Sequence, residues 1–309
     1  MFGRVAILGI GLLGSSVARA MNRAHLAGHI VGHDKNKTYL RDAGKLGFAD
    51  SLTDSVAAAV KGADLVILAT PVGAFGAVAK AMSPYLKTGA IVTDVGSVKA
   101  AVIADVGPHI PKGVHFVPAH PIAGTERSGP EAGFAELFDG RWCILTPPKG
   151  ARKGAVATLK KFWEALGSNV DVMDAKHHDL VLAVTSHVPH LIAYNIVGTA
   201  DDLRNVTQGE VIKYSAGGFR DFTRIAASDP TMWRDVFLNN KDAVLEVLGR
   251  FSEDLSALQR QIRWGEGDAL FDLFTRTRAI RRSIVDAGQD SAAVNFGRTP
   301  QATPKKTKR

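Results

Sequence analysis

The sequence predicts an α/β protein in which a doubly wound parallel sheet in the N-terminal half is followed by an all-helical C-terminal half. Three observations carry this reading. From Val5 to about Pro147, short apolar runs alternate with helical stretches. Those runs are apolar throughout instead of alternating with polar residues, as strands covered on both faces are. Beyond Asp174 the strand signals cease, while long helical periodicities continue.

The elements follow in order. VAILG, HIVGHD, DLVILAT, AIVTDVG, VHFVPAH and WCILTP each read as strands of the first half. After Pro147 and Pro148, residues Ala151 to Leu166 form an amphipathic helical pattern, and SNVDVMD reads as a last strand or a connector. Asp174 is placed to cap a long helix through HHDLVLAVTSHVPHLIAYNIVG. Within it Pro189 predicts a kink and not an end, because apolar periodicity continues past it. Lys241 to Gln261 and Asp268 to Asp286 give two further helices; the helical second half as a whole is too apolar on several faces to stand alone, so helix-mediated dimerisation is expected. From Ser291 the small and polar composition predicts disorder. The expected division is residues 1–172, residues 173–290 and a basic tail over 291–309.

The 309 residues are 46% hydrophobic, enough to bury a sizeable core, and no internal repeat is visible. The net charge of +8 suggests a polyanion partner, yet Arg298, Lys305, Lys306, Lys308 and Arg309 all lie in the acid-free terminal stretch. Without these five the chain holds 33 basic and 30 acidic residues, so a solvated tail is the simpler reading and no nucleic-acid partner is expected. Cys143 is the only cysteine, which excludes an intrachain disulfide and leaves the cytoplasm as the default compartment. No unbroken apolar run reaches the roughly 18 residues of a membrane span, and no membrane partner is expected. The opening apolar segment has only Arg4 before it, and its glycines are regularly spaced, so it reads as strand and helix in place of a signal peptide.

Gly9, Gly11 and Gly14 form G-x-G-x-x-G directly after the first strand, with Leu12 and Leu13 opening the next helix. In that context the first glycine permits a tight turn, the second lets backbone approach a pyrophosphate, and the third lets helix and strand pack closely. Asp34 ends the second strand 20 residues after Gly14, where a carboxylate accepts hydrogen bonds from the ribose hydroxyls of a dinucleotide. The half is therefore Rossmann-type, and the carboxylate favours NAD over NADP, although Lys35 and Lys37 could attract a phosphate. Thr70 and Pro71 end another strand at the edge where nucleotide crevices open.

Two further strand-end loops hold chemistry-bearing residues: DVGSVKA, with Ser97 and Lys99, and PAHPIAGTERSG, with His120, Thr125 and Glu126. A histidine between prolines after an apolar strand suits general-base work. No G-x-S-x-G elbow surrounds Ser97, which argues against a serine hydrolase. His187 and His190 lie about one helical turn apart and face one way; packing and ligand contact both remain open, and with no third ligand at suitable spacing no metal is expected. Taken alone, Arg224 reads equally as half of an ion pair with Asp221 or Asp229.

The ordered series GIGLLG, ATPV, DVGSVK, AHPIAGTE, SHVPHLIA and GGFRDFTRIAASDPTMW resembles the prephenate/arogenate (cyclohexadienyl) dehydrogenase family over nearly the whole chain to about Asp286. The resemblance implies NAD-dependent oxidative decarboxylation of prephenate or arogenate in tyrosine biosynthesis, by a homodimer. It implies that His120 assists deprotonation of the substrate's ring hydroxyl, that Ser97 orients that hydroxyl and the histidine beside the cofactor, and that Arg224 binds a substrate carboxylate, a task suited to a planar guanidinium. Thr125, Glu126, Lys99, His187, His190 and Gly217 match positions lining the substrate pocket, with Trp233 packed nearby. A chorismate mutase or regulatory domain, present in some relatives, is not expected. The competing readings are a beta-hydroxyacid dehydrogenase, for which Lys213 or Lys241 would have to act as acid/base, and an NAD-sensing protein without catalysis.

Overall fold

In the computed structural model of the chain, residues 1–202 and 217–286 are described. Six parallel strands form the main sheet: β1 (Val5–Leu8), β2 (Ile30–His33), β3 (Ser51–Thr53), β4 (Leu65–Leu68), β5 (Ile91–Asp94) and β6 (His115–Phe116), in the order β3-β2-β1-β4-β5-β6. β1 and β4, at the centre, are fully buried, which accounts for their unbroken apolar runs. One face packs Val17, Met21, Phe138, Phe162 and Trp163, and the other packs Phe75, Met82, Val102 and Val236. The order reverses direction between β1 and β4, so the loops after those two strands flank a crevice at the carboxyl edge.

Helices α1 (Leu12–Arg23), α2 (Lys37–Leu46), α3 (Val56–Val60), α4 (Phe75–Met82) and α5 (Ala100–Val106) make the crossovers. Asn36 starts α2 by accepting from Thr38 N and Tyr39 N, and Gly47 ends it in the left-handed region at φ 63°.

The run VHFVPAH, expected as one strand, divides between two sheets. Its first half is β6, and its second half is β7 (Ala119–Pro121), which pairs antiparallel with β8 (Trp142–Leu145), itself parallel to β9 (Asn169–Val172). WCILTP therefore lies outside the main sheet. Pro118 explains the break, since a proline donates no ladder hydrogen bond. β3 escaped the sequence reading because its three half-buried residues give no apolar run.

Helix α6 (Lys153–Ala165) covers the predicted stretch, and Asp174 caps α7 (Ala175–Leu182) by accepting from Lys176 N and His177 N. The helix continues through a wide π-type turn, Ala183–His187, into α8 (Val188–Asp202). The kink expected at Pro189 is thus met by a wide turn just before it, which accommodates the hydrogen bond that Pro189 cannot donate. On length and composition alone the run 175–202 could cross a membrane. It also carries the buried polar pair His178 and Asp179, both hydrogen-bonded within the protein.

A short helix Gly217–Thr223, a tight turn Arg224–Ala227 and a helix Pro230–Asn239 follow, the last capped by Asp229 accepting from Met232 N. Lys241–Trp264 and Gly267–Asp286 are the two long C-terminal helices. The compact units are Met1–Val247 and the chain from Leu248 onward, so the division falls inside the first of these long helices. The tail expected to be disordered lies outside the described residues.

Candidate active site

The glycine loop meets the steric demands of its motif. Gly9 has φ 100°, and a Cβ there would stand 2.6 Å from the Ala69 carbonyl. A Cβ on Gly14 would stand 1.9 Å from the Gly9 carbonyl oxygen, whereas one on Gly11 would meet nothing within 4 Å. Gly9 and Gly14 therefore serve the turn and the helix contact, and Gly11 keeps open space where a ligand phosphate can approach. Helix α1 has no side-chain cap and no acid in its first turn, so the amide end begun by Leu12 and Leu13 is available to an anion.

Asp34 sits one residue past β2. Its carboxylate accepts from Ile10 N at 3.1 Å and from Asn36 N at 2.9 Å, which fixes it against the glycine loop. Thr70 and Pro71 follow β4, and the Thr70 hydroxyl is buried without a partner among the described residues. An open Gly11, a free helix end, a tethered carboxylate and an orphaned hydroxyl together fit an adenine dinucleotide.

The second cluster lies at the ends of β5 and β7. His120, on β7 opposite Ile144, is 7% exposed, and its Nδ1 lies 2.8 Å from Nε2 of His178. His178 Nδ1 in turn lies 2.8 Å from Oδ1 of Asp179. The Asp179 carboxylate also accepts from Lys99 N at 2.7 Å and Ala100 N at 2.8 Å, which seats α7 on the start of α5. Burial holds the His120 pKa well below the usual histidine value, aided by the nearby His178, Lys99 and His187. Burial lowers His178 as well, against the opposing pull of Asp179.

Lys99 differs from its expected place at the substrate. Its side chain is fully buried, paired with Asp94, and it donates to the Ala119 carbonyl at 2.8 Å. Asp94 also accepts from Gly96 N at 2.8 Å and Ala119 N at 3.2 Å. The pair therefore clamps both peptide groups of Ala119, next to His120, and the backbone beside Ser97. Burial raises the Asp94 pKa and lowers that of Lys99, each opposed by the charge of the other. Ser97 itself is half-buried.

His187, also expected at the substrate, is fully buried. Its Nδ1 lies 3.0 Å from Asn240 Nδ2, and burial brings its pKa to about 4. His190 is more open; its ring stacks on Trp233 with centroids 3.7 Å apart, and Trp233 meets His187 edge-on. Thr125 and Glu126 lie in an exposed loop, and Glu126 pairs with Arg224 at 3.2 Å. The partner of Arg224 is thus Glu126, not Asp221 or Asp229. Gly217 opens its short helix. Lys213 lies outside the described residues, and Lys241 is exposed at the start of its helix. Among the described residues no group of three His, Cys, Asp or Glu side chains could hold a metal ion.

His178, Asp179, Asp94 and Asn240 were missed in the sequence. His178 and His187 are nine residues apart, roughly two and a half turns, and in an unbroken α-helix they would point to opposite sides. The wide turn takes up the surplus and both are buried. Only the proline after SHV hinted at that turn.

The chain matches two families in succession: the prephenate dehydrogenase nucleotide-binding domain over residues 17–172, and the prephenate dehydrogenase dimerization domain over residues 174–276. It is 42% identical over 285 residues to a cyclohexadienyl dehydrogenase of Zymomonas mobilis, covering 92% of this chain and 97% of that one. It is 34% identical to a prephenate dehydrogenase of Bacillus subtilis, over 91% of this chain and 76% of the relative. The crystal structure of prephenate dehydrogenase from Aquifex aeolicus in complex with hydroxyphenyl propionate and NAD+ superposes with a TM-score of 0.84 at 37% identity, covering 92% of this chain and 99% of that one. With a six-stranded nucleotide fold, a helical second half and relatives of this identity over nine-tenths of its length, the chain belongs to the prephenate dehydrogenase family.

Proposed function

We infer that the chain is an NAD-dependent oxidoreductase that oxidatively decarboxylates prephenate, arogenate or both, in tyrosine biosynthesis. The observation that supports the reading is His120, buried next to Ala119, whose N–H donates to Asp94 at the end of β5, with its pKa held well below the usual histidine value, in a chain whose first loop fits a dinucleotide. Gly9, Gly11, Leu12, Leu13, Gly14, Asp34, Thr70, Pro71 and Ser97 would hold the cofactor, and the Asp34 carboxylate favours NAD over a 2′-phosphorylated dinucleotide. When bound, NAD supplies the hydride acceptor at the substrate's hydroxyl-bearing ring carbon.

His120 takes the proton of that hydroxyl. Its Nε2, with no hydrogen-bond partner among the described residues, is the receiving atom. Ser97 orients the hydroxyl, and the ring carboxylate leaves as carbon dioxide while the ring becomes aromatic. Aromatisation drives the step, so the protein's main tasks are alignment and deprotonation.

Arg224 holds a substrate carboxylate, with Thr125, Glu126, His190 and Gly217 around it. Its ion pair with Glu126 is about two-fifths exposed, and such pairs contribute only about 0–1 kcal/mol, so an incoming carboxylate can displace Glu126. Arg224→Ala therefore raises KM for the cyclohexadienyl acid by roughly 10- to 100-fold, the equivalent of about 1.5–3 kcal/mol for a charged hydrogen bond. It leaves KM for NAD and the pH profile of kcat in place. Steady-state kinetics showing an unchanged substrate KM would remove Arg224 from the site.

The same reading makes residues 1–172 the nucleotide domain and 173–290 the domain for substrate and dimerisation, in a cytoplasmic homodimer. Within the last two helices Ile262, Trp264 and Phe271 are each at least 67% exposed, an apolar surface suited to a second copy. A single-chain mass by light scattering at micromolar concentration would contradict the dimer. Relaxed use of both acids fits the resemblance to the cyclohexadienyl enzyme.

A further inference from the structure

The His120–His178–Asp179 line holds more information than proximity. The Asp179 carboxylate already accepts two backbone N–H groups, from Lys99 and Ala100, and as a carboxylate it has no proton to give. The third partner at its Oδ1, the His178 Nδ1 at 2.8 Å, must therefore be the donor. A neutral histidine carries one ring proton, so His178 Nε2 is a bare acceptor. The nitrogen 2.8 Å from that acceptor, His120 Nδ1, must then carry hydrogen. It follows that His120 Nε2 is bare.

We propose that His178 and Asp179 are positioning residues of this enzyme, which together fix His120 as its Nδ1–H tautomer and leave Nε2 as the only basic atom offered to the substrate hydroxyl. When the substrate O–H breaks, its proton forms Nε2–H on His120, and the Nδ1–H stays donated to His178. The positive charge on the His120 ring is met, through the polarised His178 ring, by the Asp179 carboxylate. That compensation is needed because, of the other charged or titratable groups facing the two rings, Lys99, Asp94 and His187, the Lys99 charge opposes a cation there and Asp94 is already paired with Lys99. His178 and Asp179 need no contact with substrate or cofactor. The wide turn Ala183–His187 contributes by letting His178 and His187 both point inward from one helix.

The proposal rests on the dehydrogenase reading, and turnover of prephenate or arogenate by the wild-type protein is measured first. A silent wild type sinks that reading, whereas an active wild type allows the proposal to be judged by itself. Nitrogen-15 NMR of histidine-labelled wild-type protein is expected to show His120 protonated at Nδ1; protonation at Nε2 overturns the proposal. Asp179→Asn presents an amide that can donate to His178, reversing both tautomers, and it lowers kcat by up to about 10⁴-fold, as a wrong tautomer does in the Ser-His-Asp triad. Substrate KM and NAD affinity stay within about threefold. His178→Gln, whose amide oxygen can accept from His120 Nδ1, keeps at least roughly tenfold more activity than His178→Phe, which cannot accept. Folding of each variant is checked by circular dichroism and NAD binding. Equal kcat for His178→Gln, His178→Phe and wild type overturns the proposal, even if Asp179→Asn fails to fold.

Discussion

Replacing His120 with Asn lowers kcat by about 10²–10⁴-fold, the usual contribution of a positioned general base, with KM for both substrates little changed. Asn fills much of the imidazole's space and keeps polar atoms, but it cannot take a proton near neutral pH. At about 1.4 kcal/mol per tenfold, the loss is about 2.8–5.6 kcal/mol of transition-state stabilisation. The pH dependence has a definite sign. Burial holds the His120 ring neutral to well below the usual histidine range. Its base form therefore persists as pH falls, and kcat stays level from pH 8 through about 6.5, the unperturbed value, dropping only at more acidic pH. A kcat profile that falls on going from pH 8 to 7 would assign the base to another group, and an unimpaired His120→Asn would remove the residue from the mechanism.

The second large effect is on stability. Lys99→Met leaves Asp94 buried and charged with only the Gly96 and Ala119 amides as partners, and it costs about 3–5 kcal/mol. Adding Asp94→Asn removes the stranded charge, so the double variant costs less than the sum of the two single ones. Urea denaturation of the three variants measures this directly. Activity of the single variant falls as well, because the Lys99 ammonium no longer holds the Ala119 carbonyl next to His120. A loss below about 1 kcal/mol for Lys99→Met would show that the ion pair is not needed for the fold.

The legible part of the fold was the part written in local pattern. The glycine spacing, the buried strands and the Asp174 cap are each set by residues within a few positions of one another, and all are present. The unforeseen parts depend on distant pairing. VHFVPAH divides between sheets because β8, more than twenty residues later, captures its second half. His178 reads as one of several helix histidines until Lys99 and Ala100 supply the amides that fix Asp179 beside it. Lys99 reads as a pocket cation because nothing local shows that Asp94, five residues earlier, turns toward the same interior. The Arg224–Glu126 pair spans 98 residues and joins two loops whose association only the tertiary structure reveals.

The proposed reaction couples hydride transfer to one bound dinucleotide with deprotonation of the substrate by one buried histidine. Its most direct test is NADH absorbance during incubation of the purified chain with prephenate and with arogenate, each with NAD and with NADP. Rapid reduction of NAD by at least one of the two acids is expected, with much slower reduction of NADP because of the Asp34 carboxylate. No reduction in any of the four mixtures, from protein that binds NAD, would contradict it.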